Sequence, residues 1–368
     1  MQRMPARIGD PVAAIETPAL CVDVDAFERN LARMADATKG IRLRPHAKSH
    51  KCSAIAKAQL ARGAVGICCQ KTDEAAAFVE AGIRDVLVTN EIVAPAKIAR
   101  LAGLAREATV GVLVDSPGAV ATLASAAAHA NVRLDVYIEV DVGAHRCGVA
   151  PGEPALALAL AVVASPALRL RGLQAYQGAA QHLREPAARE AAIAAAAAAA
   201  RRTREMFVGG GIGCDIVTGA GTGTWQHERD SGVYDELQPG SYVFMDADYG
   251  RNVADATDLR FEQSLFVLAS VMSTPAADRA IVDAGLKAFA VDSGPPLVYG
   301  RGGAQFDKAS DEHGVLRIAG GPLATIGERV WLIPGHCDPT VNLYDWIVAV
   351  RDGVVEGVWP IEARGALG

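Results

Sequence analysis

The sequence lacks the features that mark several large classes of protein. Its 36 lysines and arginines against 42 aspartates and glutamates leave a net charge of −6, and no long basic block is present. A nucleic acid is therefore not an expected partner. No apolar run reaches the roughly 18 residues of a membrane-spanning helix, and residues 1–18 contain no continuous apolar segment of the signal-peptide type. We accordingly expect no membrane partner.

Cysteine pairs and low-complexity segments are also scarce. The seven cysteines form no CxxC motif and no even framework. We interpret them as mostly buried thiols and predict a reducing, cytoplasmic location. Apolar residues make up 51% of the chain, which is enough for a large core in an ordinary globular protein.

Strand and helix patterns alternate from about residue 24 to residue 253. Eight such units predict an α/β fold, a (β/α)8 barrel that spans 24–253. A doubly wound sheet is the alternative, although it normally uses fewer units. The predicted strands are continuous apolar runs, which is typical of parallel strands covered on both faces. In chain order they read IRLRPHA, AVGICCQ, DVLVTN, TVGVLVD, RLDVYIEVDV, LRLRGLQAYQG, CDIVTGAGTG and VYDELQPGSY.

After residue 253 the helical period disappears. Strand-like runs separated by Gly, Pro and Asp turns predict a second, all-β C-terminal domain over 254–368. The N-terminal stretch TPALCVDVD also reads as a strand, and we expect residues 1–23 to contribute it to the β domain.

A cation-rich segment, LRPHAKSHK at 43–51, follows the first predicted strand. Barrel active sites lie at the C-terminal ends of the strands. Alternate residues of a strand face one side, and here they are Arg42, Arg44, His46, Lys48 and His50. Because neighbouring cations lower the pKa of an amine, we expect Lys48 to be a reactive lysine with a lowered pKa. For Arg42, His50 and Lys51 we favour a structural contact, such as a carboxylate partner.

Glycine-rich loops follow the seventh and eighth predicted strands, with the sequences TGAGTGT and LQPGSY. Barrels commonly bind phosphate at this place through backbone N–H groups, although any tight turn has a similar sequence. A lysine in the barrel mouth opposite a phosphate site suggests pyridoxal phosphate, because that cofactor needs both.

The segment PGHCDPT, 334–340, lies far away in the predicted β domain. His336 and Asp338 are two residues apart, so on an extended segment they would face one side and Cys337 the other. An imidazole and a carboxylate can hold Mn²⁺, Mg²⁺ or Zn²⁺. The alternative is a hydrogen-bonded loop without a metal.

Together these motifs resemble the D-threonine aldolase and 3-hydroxy-D-aspartate aldolase group of D-serine dehydratase-like enzymes. The resemblance extends from about residue 16 to 366 and implies the alanine racemase type of barrel with a C-terminal β domain. It rests on RPHAK, GICCQK, VDVGAHRCGV, GLQAYQGAAQH, GAGTGT, ELQPGSYVFMDADYG, VDAGLK, SDEHG and PGHCDPTVNLYD.

The resemblance assigns roles to particular residues. It implies that Lys48 is the Schiff-base lysine and that His182 is the base for the β-hydroxyl proton. It implies that His336 and Asp338 bind the metal. Cofactor contacts are implied for Arg146, Tyr176, Gly221, Thr222, Gly223, Gln238, Gly240 and Ser241, of which Gln238 lies where alanine racemases have an arginine beside the pyridine nitrogen.

Two positions carry further expectations. Ala220 stands where relatives have glycine, and a methyl group is tolerable there if the residue has a negative φ. The resemblance also implies a head-to-tail homodimer, so SDEHG at 310–314 either reaches a partner subunit's site or is a plain turn.

The implied reaction is the retro-aldol cleavage of a D-3-hydroxy amino acid to glycine and an aldehyde, with pyridoxal phosphate and a divalent metal. D-threonine, D-3-hydroxyaspartate and D-phenylserine all satisfy this chemistry. The alternatives are a dehydratase of the same fold, a racemase, a metal-dependent hydrolase and a non-catalytic protein that binds pyridoxal phosphate. The resemblance implies that dehydratases have a cysteine as the second metal ligand, two residues after the histidine. In this chain that position is Asp338, a hard oxygen ligand that favours Mn²⁺ or Mg²⁺. The aldolase is therefore the preferred interpretation.

Overall fold

The structure is a computed structural model that describes residues 2–255, 258–319 and 324–368. Eight parallel strands form one sheet in the order β2-β9-β8-β7-β6-β5-β4-β3. Backbone hydrogen bonds from Val65 to Leu43 and from Cys68 to Pro45 join β2 to β3, so the sheet closes on itself. The expected barrel is therefore confirmed. Its strands are β2 (Arg42–Leu43), β3 (Ile67–Cys69), β4 (Asp85–Glu91), β5 (Thr109–Val114), β6 (Leu134–Glu139), β7 (Leu168–Gln174), β8 (Ile216–Gly219) and β9 (Glu236–Leu237).

The helices between these strands begin and end at residues suited to helix termini. The Asp23 side chain caps the first helix by accepting a hydrogen bond from the Ala26 N–H, and Ser116 caps the fifth helix by accepting from Ala119. Asn131 ends the fifth helix in the left-handed conformation. The helices are α1 (Val24–Ala37), α2 (Ser53–Ala61), α3 (Thr72–Glu80), α4 (Pro95–Leu104), α5 (Pro117–Ala130), α6 (Glu153–Val163), α7 (Pro186–Gly209) and α8 (Trp225–Asp230).

A second, nine-stranded sheet contains the C-terminal strands together with the strand near the N-terminus. That strand is β1 (Ala19–Asp23). The remaining strands are β10 (Leu265–Ala276), β11 (Arg279–Val282), β12 (Leu297–Tyr299), β13 (Ala304–Ala309), β14 (Gly314–Ile318), β15 (Arg329–Ile333), β16 (Trp346–Arg351) and β17 (Val354–Pro360). In this sheet β1 is antiparallel to β10 and parallel to β16. The domain boundaries at 24–253 and 254–368 stay a prediction.

Two short helices hold the β domain against the C-terminal end of the barrel. They are α9 (Ala247–Gly250) and α10 (Cys337–Val341). The backbone N–H groups of Ala247 and Asp248 donate to the carbonyls of Pro334 and Gly335, at 3.0 and 3.1 Å. In return, the Asp246 carboxylate accepts from the Cys337 N–H at 2.9 Å. The PGHCD segment is therefore fixed beside the ends of the barrel strands.

The state of the cysteines and the length of the helices agree with the sequence analysis. All seven cysteines are free thiols, and five of them are buried. None of the helices in the described part of the chain is long and apolar enough to cross a membrane.

Candidate active site

A cavity of about 400 Å³ opens at the C-terminal ends of the barrel strands and extends to the β domain. It brings together every residue that the sequence analysis assigned to the site except Gly223. The lining includes Lys48, Arg146, Tyr176, His182, Gly221, Thr222, Gln238, Gly240, Ser241, His336 and Asp338.

Lys48 lies in a one-turn 3₁₀ helix, Ala47–Ser49, because the chain leaves β2 at Leu43. The strand parity that we used to place Lys48 therefore ends before this residue. The turn is fixed by the His46 side chain, whose Nδ1 accepts from the Lys48 N–H at 3.3 Å. Lys48 consequently reaches the cavity from a turn that a barrel strand positions.

The other cations of the segment have carboxylate partners or are buried. Arg44 is buried between Glu236 and Asp85, and Arg42 also pairs with Glu236. The amine of Lys51 donates to Glu74 at 2.8 Å. His50 is fully buried and does not line the cavity. These contacts agree with the structural interpretation of Arg42, His50 and Lys51.

The expectation of a lowered pKa at Lys48 is wrong. Burial lowers the pKa of the Lys48 amine, but the carboxylate of Asp338 and the Tyr176 hydroxyl outweigh burial and raise it. The Lys48 Nζ lies 3.8 Å from the Asp338 Oδ2. The cations next to Lys48 along the chain would lower the pKa of its amine, but in space the carboxylate of Asp338 from the other domain has the larger effect.

The loop after β8 has the form of a phosphate site. A Cβ at Gly221 would stand 2.4 Å from the Gln181 Oε1, so this residue must be glycine for Gln181 to support the loop. The Thr222 hydroxyl is buried and has no hydrogen-bond partner among the described residues. An unpartnered buried donor in a glycine loop fits a phosphate. Gly223 is turned away, because its N–H donates to the Gln181 Oε1 at 2.9 Å.

Ala220 does not meet the condition of a negative φ under which a methyl group would be tolerable there. Its φ is +77°, in the left-handed region, and not negative. The residue is buried, so its methyl group packs against neighbouring atoms although the backbone is strained. A turn conformation that glycine adopts freely is therefore imposed on an alanine by the loop around it.

The loop after β9 approaches Lys48 closely. A Cβ at Gly240 would stand 2.7 Å from the His46 carbonyl oxygen and 2.9 Å from the Ser49 Oγ. The next residue, Ser241, donates from its hydroxyl to the Asp338 Oδ1 at 3.3 Å. Gly240 thus lets the second glycine loop meet the Lys48 turn, and Ser241 connects it to the β domain.

Gln238 is oriented by a directed chain of hydrogen bonds. The Glu236 carboxylate accepts from the Thr218 hydroxyl at 3.0 Å, so this hydroxyl must in turn accept from the Gln238 Nε2 at 2.7 Å. The Gln238 amide also exchanges two hydrogen bonds with Gln174, at 2.9 and 3.1 Å. A neutral amide therefore stands, already oriented, where the resemblance places the partner of the pyridine nitrogen.

Arg146 lies at the edge of the cavity between a carboxyl group and a ring. Its guanidinium is 3.8 Å from Glu139 and 5.8 Å from the centroid of the Tyr176 ring. Burial raises the pKa of Glu139, and a hydrogen bond with Glu91 raises it further. These contacts hold Arg146 beside Tyr176 while about half of its side chain stays exposed.

His182 has a carboxylate partner that the sequence analysis missed. The His182 Nδ1 lies 2.6 Å from the Asp248 Oδ2. Burial raises the pKa of Asp248, but hydrogen bonds from Arg184, Arg251 and His182 outweigh burial and hold it at about 2. Asp248 is therefore ionised, and because a carboxylate can only accept, in the neutral ring the Nδ1 carries the proton and the Nε2 has the free lone pair.

His336 and Asp338 both line the cavity, although they do not lie together on an extended segment as their spacing had suggested. His336 is extended, whereas Asp338 lies in the first turn of α10. Cys337, between them, is buried and does not line the cavity. Within the described ranges no group of three or more His, Cys, Asp or Glu residues could hold a metal. One imidazole and one carboxylate fit a Mn²⁺ or Mg²⁺ ion that takes its other ligands from water or substrate.

Two of the missed residues lie in segments that the sequence analysis had already singled out. Asp248 belongs to the MDADYG segment and Gln181 to GAAQH. Their partners, His182 and Gly223, are distant in sequence, so no local spacing indicated the contact. Gln181 had one indirect signal, since a glycine-rich loop needs a group to pack against.

Comparison with known proteins places both halves of the chain. Residues 22–248 match the family of the alanine racemase N-terminal domain, and residues 264–350 match a serine dehydratase domain. A D-threonine aldolase from Arthrobacter sp is 49% identical over 365 residues, which cover 98% of this chain and 96% of that protein. A 3-hydroxy-D-aspartate aldolase from Paracoccus denitrificans (strain Pd 1222) is 47% identical over 371 residues, which cover 98% of this chain and 95% of that protein.

Solved structures agree with the sequence matches. The crystal structure of a D-threonine aldolase from Filomicrobium marinum has a TM-score of 0.97 at 47% identity, covering 99% of this chain and all of that one. A D-threo-3-hydroxyaspartate dehydratase from Delftia sp. (strain HT23) is more distant, with 32% identity over 378 residues that cover 94% of this chain and 97% of that protein. The chain therefore belongs to the alanine racemase N-terminal domain family, to which these motifs and this barrel had pointed.

Proposed function

We propose that this protein is a carbon–carbon lyase that cleaves D-3-hydroxy amino acids to glycine and an aldehyde. One observation carries the proposal. A single cavity contains a lysine, a glycine loop with an unpartnered hydroxyl, a histidine held by a carboxylate, and a His–Asp pair from the second domain. The relatives that are about half identical over nearly the full chain are aldolases by name, and the named dehydratase is more distant.

Pyridoxal phosphate, when bound, withdraws electrons from the substrate Cα, and a divalent cation polarises the β-hydroxyl. Lys48 would hold the cofactor covalently at the cavity wall. Thr222 and the backbone of Gly221, Gly240 and Ser241 would hold its phosphate. The residues that would hold the cation are His336 and Asp338.

His182 is the proposed base that accepts the proton of the substrate's β-hydroxyl. Asp248 occupies the Nδ1 at 2.6 Å, so the Nε2 is the atom that can accept a proton. When it does, the imidazolium forms beside an ionised carboxylate, which stabilises the charge. His182 also stacks near Tyr249, with ring centroids 6.2 Å apart.

A product assay on D-threonine with added Mn²⁺, repeated after EDTA, tests the proposal. We expect glycine and acetaldehyde, with the activity lost after EDTA. Ammonia and 2-oxobutyrate would instead identify the dehydratase. The absence of any product from D-threonine, D-3-hydroxyaspartate and D-phenylserine would favour a non-catalytic protein, and the three rates rank the substrates.

The assembly and location belong to the same proposal. The resemblance implies a homodimer of 38.3 kDa chains, and the free cysteines favour a cytoplasmic location. SDEHG at 310–314 connects β13 to β14 and does not line the cavity of its own chain. Its contribution to a partner subunit's cavity stays a prediction, as does the plain turn. Light scattering of the purified protein measures the mass of the assembly.

A further inference from the structure

We propose that Asp292 is the carboxylate that orients His336 and thereby sets the affinity of the site for a divalent cation. This inference rests on the metal role of His336 proposed above. It concerns a positioning residue in the loop before β12, which no motif of the sequence analysis included.

The contact between the two side chains is direct. The Asp292 Oδ2 lies 2.7 Å from the His336 Nδ1. An ionised carboxylate can only accept, so the Nδ1 carries the proton of the neutral ring. The Nε2 is then the nitrogen with a free lone pair, and His336 lines the cavity together with Asp338. A histidine that binds a metal commonly donates its other ring N–H to a carboxylate, which fixes the tautomer and makes the ligand nitrogen more basic.

The loop that carries Asp292 contacts both Arg251, which follows α9, and the segment that carries His336. The carbonyl of Ser293 accepts from the Arg251 guanidinium at 2.6 Å. The next residue of this loop, Gly294, lies against the His336 segment, since a Cβ at Gly335 would stand 2.1 Å from the Gly294 carbonyl oxygen. Gly335, the residue before His336, therefore permits a backbone approach that a side chain would prevent.

Arg251 also relates this loop to the proposed base. It donates to the Asp248 Oδ1 at 2.6 Å as well as to Ser293. Asp248 in turn holds His182. Each of the two histidines thus has a carboxylate on its Nδ1, and one arginine connects the two carboxylate-bearing segments. The arrangement presents both Nε2 atoms from pre-oriented rings.

The competing interpretation is an ordinary surface contact. The Asp292 side chain is 54% exposed and that of His336 29% exposed. Exposed pairs contribute little to stability, so a purely structural contact predicts no change in metal affinity when Asp292 is replaced. A positioning role predicts a loss of metal affinity in a protein that stays folded and keeps its cofactor.

The experiment is a calorimetric titration of Mn²⁺ into the pyridoxal phosphate-loaded enzyme after its metal has been removed with EDTA. Asp292→Ala removes the acceptor, Asp292→Asn keeps an oxygen but loses the charge, and His336→Ala removes the ligand. Asp307→Asn is the matched control, because its carboxylate also pairs at the β-domain surface, with Arg317 at 3.0 Å, but lies outside the cavity.

We expect Asp292→Ala to weaken Mn²⁺ binding by roughly 10-fold to 100-fold, Asp292→Asn by less, and Asp307→Asn not at all. Cofactor absorbance should be unchanged in all of them. If Asp292→Ala binds within about twofold of the wild type while His336→Ala has lost binding, the positioning role is overturned and the metal site stands. If His336→Ala binds as tightly as the wild type, the metal site itself fails and Asp292 with it.

Discussion

Individual side chains in the cavity depend on one or two contacting groups for their protonation state. The clearest case is the amine of Lys48, whose pKa rises although the chain around it is cationic. Asp338 lies 3.8 Å from this amine. His182 is the second case, since Asp248 decides which ring nitrogen carries the proton. Reactivity at this scale is therefore a property of pairs.

Replacement of Lys48 by alanine should remove the absorbance band at about 420 nm that a pyridoxal phosphate imine gives. The reason is that no other cavity-lining residue is a lysine in the described part of the chain. Lys51→Ala is the control, because Lys51 is nearby but donates to Glu74. A band that survives in Lys48→Ala and disappears in Lys51→Ala would assign the cofactor bond to Lys51.

Loss of the His182 imidazole should reduce kcat by roughly 10²–10⁴ while the cofactor stays bound. Asp248→Asn should cause a smaller loss, because the ring remains but its tautomer is no longer imposed. His129→Ala is the control, since this exposed histidine ends α5 and does not line the cavity. Steady-state kinetics measure all three, and an unchanged kcat in His182→Ala removes it as the base.

At the scale of secondary-structure elements, the turns after the strands are more informative than the strands. β2 and β9 contain two residues each, yet the loops that follow them provide Lys48, Gly240 and Ser241. The barrel sets the start of each loop, and glycines allow the loops to approach one another.

Gly221→Ala should weaken cofactor binding. The added Cβ would stand 2.4 Å from the Gln181 Oε1, so the loop or Gln181 has to move. Crowding of this kind costs about 1–3 kcal/mol, which corresponds to a roughly fivefold to 150-fold loss of affinity. Gly209→Ala, at the end of α7 with open space around it, should bind normally. Fluorescence titration measures the affinity of each variant for pyridoxal phosphate. Equal affinity in both variants would contradict the requirement for glycine at position 221.

Helix α8 carries a buried acid that should make stability depend on pH. Burial raises the pKa of Glu228 to about 8, against 4.5 ordinarily, although a hydrogen bond from Thr224 opposes it. Between these values the unfolded chain has released a proton that the folded chain keeps, so stability falls as pH rises. As pH rises through this range, we expect the free energy of unfolding of Glu228→Gln to increase relative to that of the wild type by up to about 1.4 kcal/mol per pH unit. Urea unfolding at about pH 5 and about pH 8 tests this, and a constant difference would contradict it.

The whole molecule matters because the cavity lies between two sheets. The barrel contributes Lys48 and His182, and the segment between β15 and β16 contributes His336 and Asp338. A hydrogen bond from Ser241 to Asp338 and the backbone contacts of α9 with Pro334 and Gly335 join the two parts. Neither sheet contains the full set of groups that the proposed reaction needs.

Asp338→Ala should therefore keep the cofactor band but lose the activity that Mn²⁺ supports. The variant removes the single carboxylate of the proposed metal pair while leaving the barrel intact. Activity measured with Mn²⁺ and with EDTA, beside Asp307→Asn as a folded control, tests this. Full Mn²⁺-dependent activity in Asp338→Ala would refute its role as a ligand.

Much of the fold could be predicted because it is encoded locally. The eight apolar runs, the cap at Asp23 and the left-handed Asn131 at the end of α5 act over a few residues, so their pattern is visible along the chain. The cavity-lining residues Lys48 and His336 were also predictable, since strand ends and a short motif marked them. The pKa of Lys48 was predicted wrongly, and the condition of a negative φ at Ala220 is not met, because both depend on groups brought from elsewhere in the fold.

By itself, the sequence determined which elements form, in which order, and which residues lie at the ends of the barrel strands, because periodicity, caps and turns are short-range. The tertiary structure alone decided that Asp338 faces Lys48, that Asp248 holds His182 and that Asp292 holds His336. These contacts join residues far apart in the chain. Electrostatic forces and hydrogen bonds act through space, and no spacing in the sequence records the distance between residues that the fold brings together.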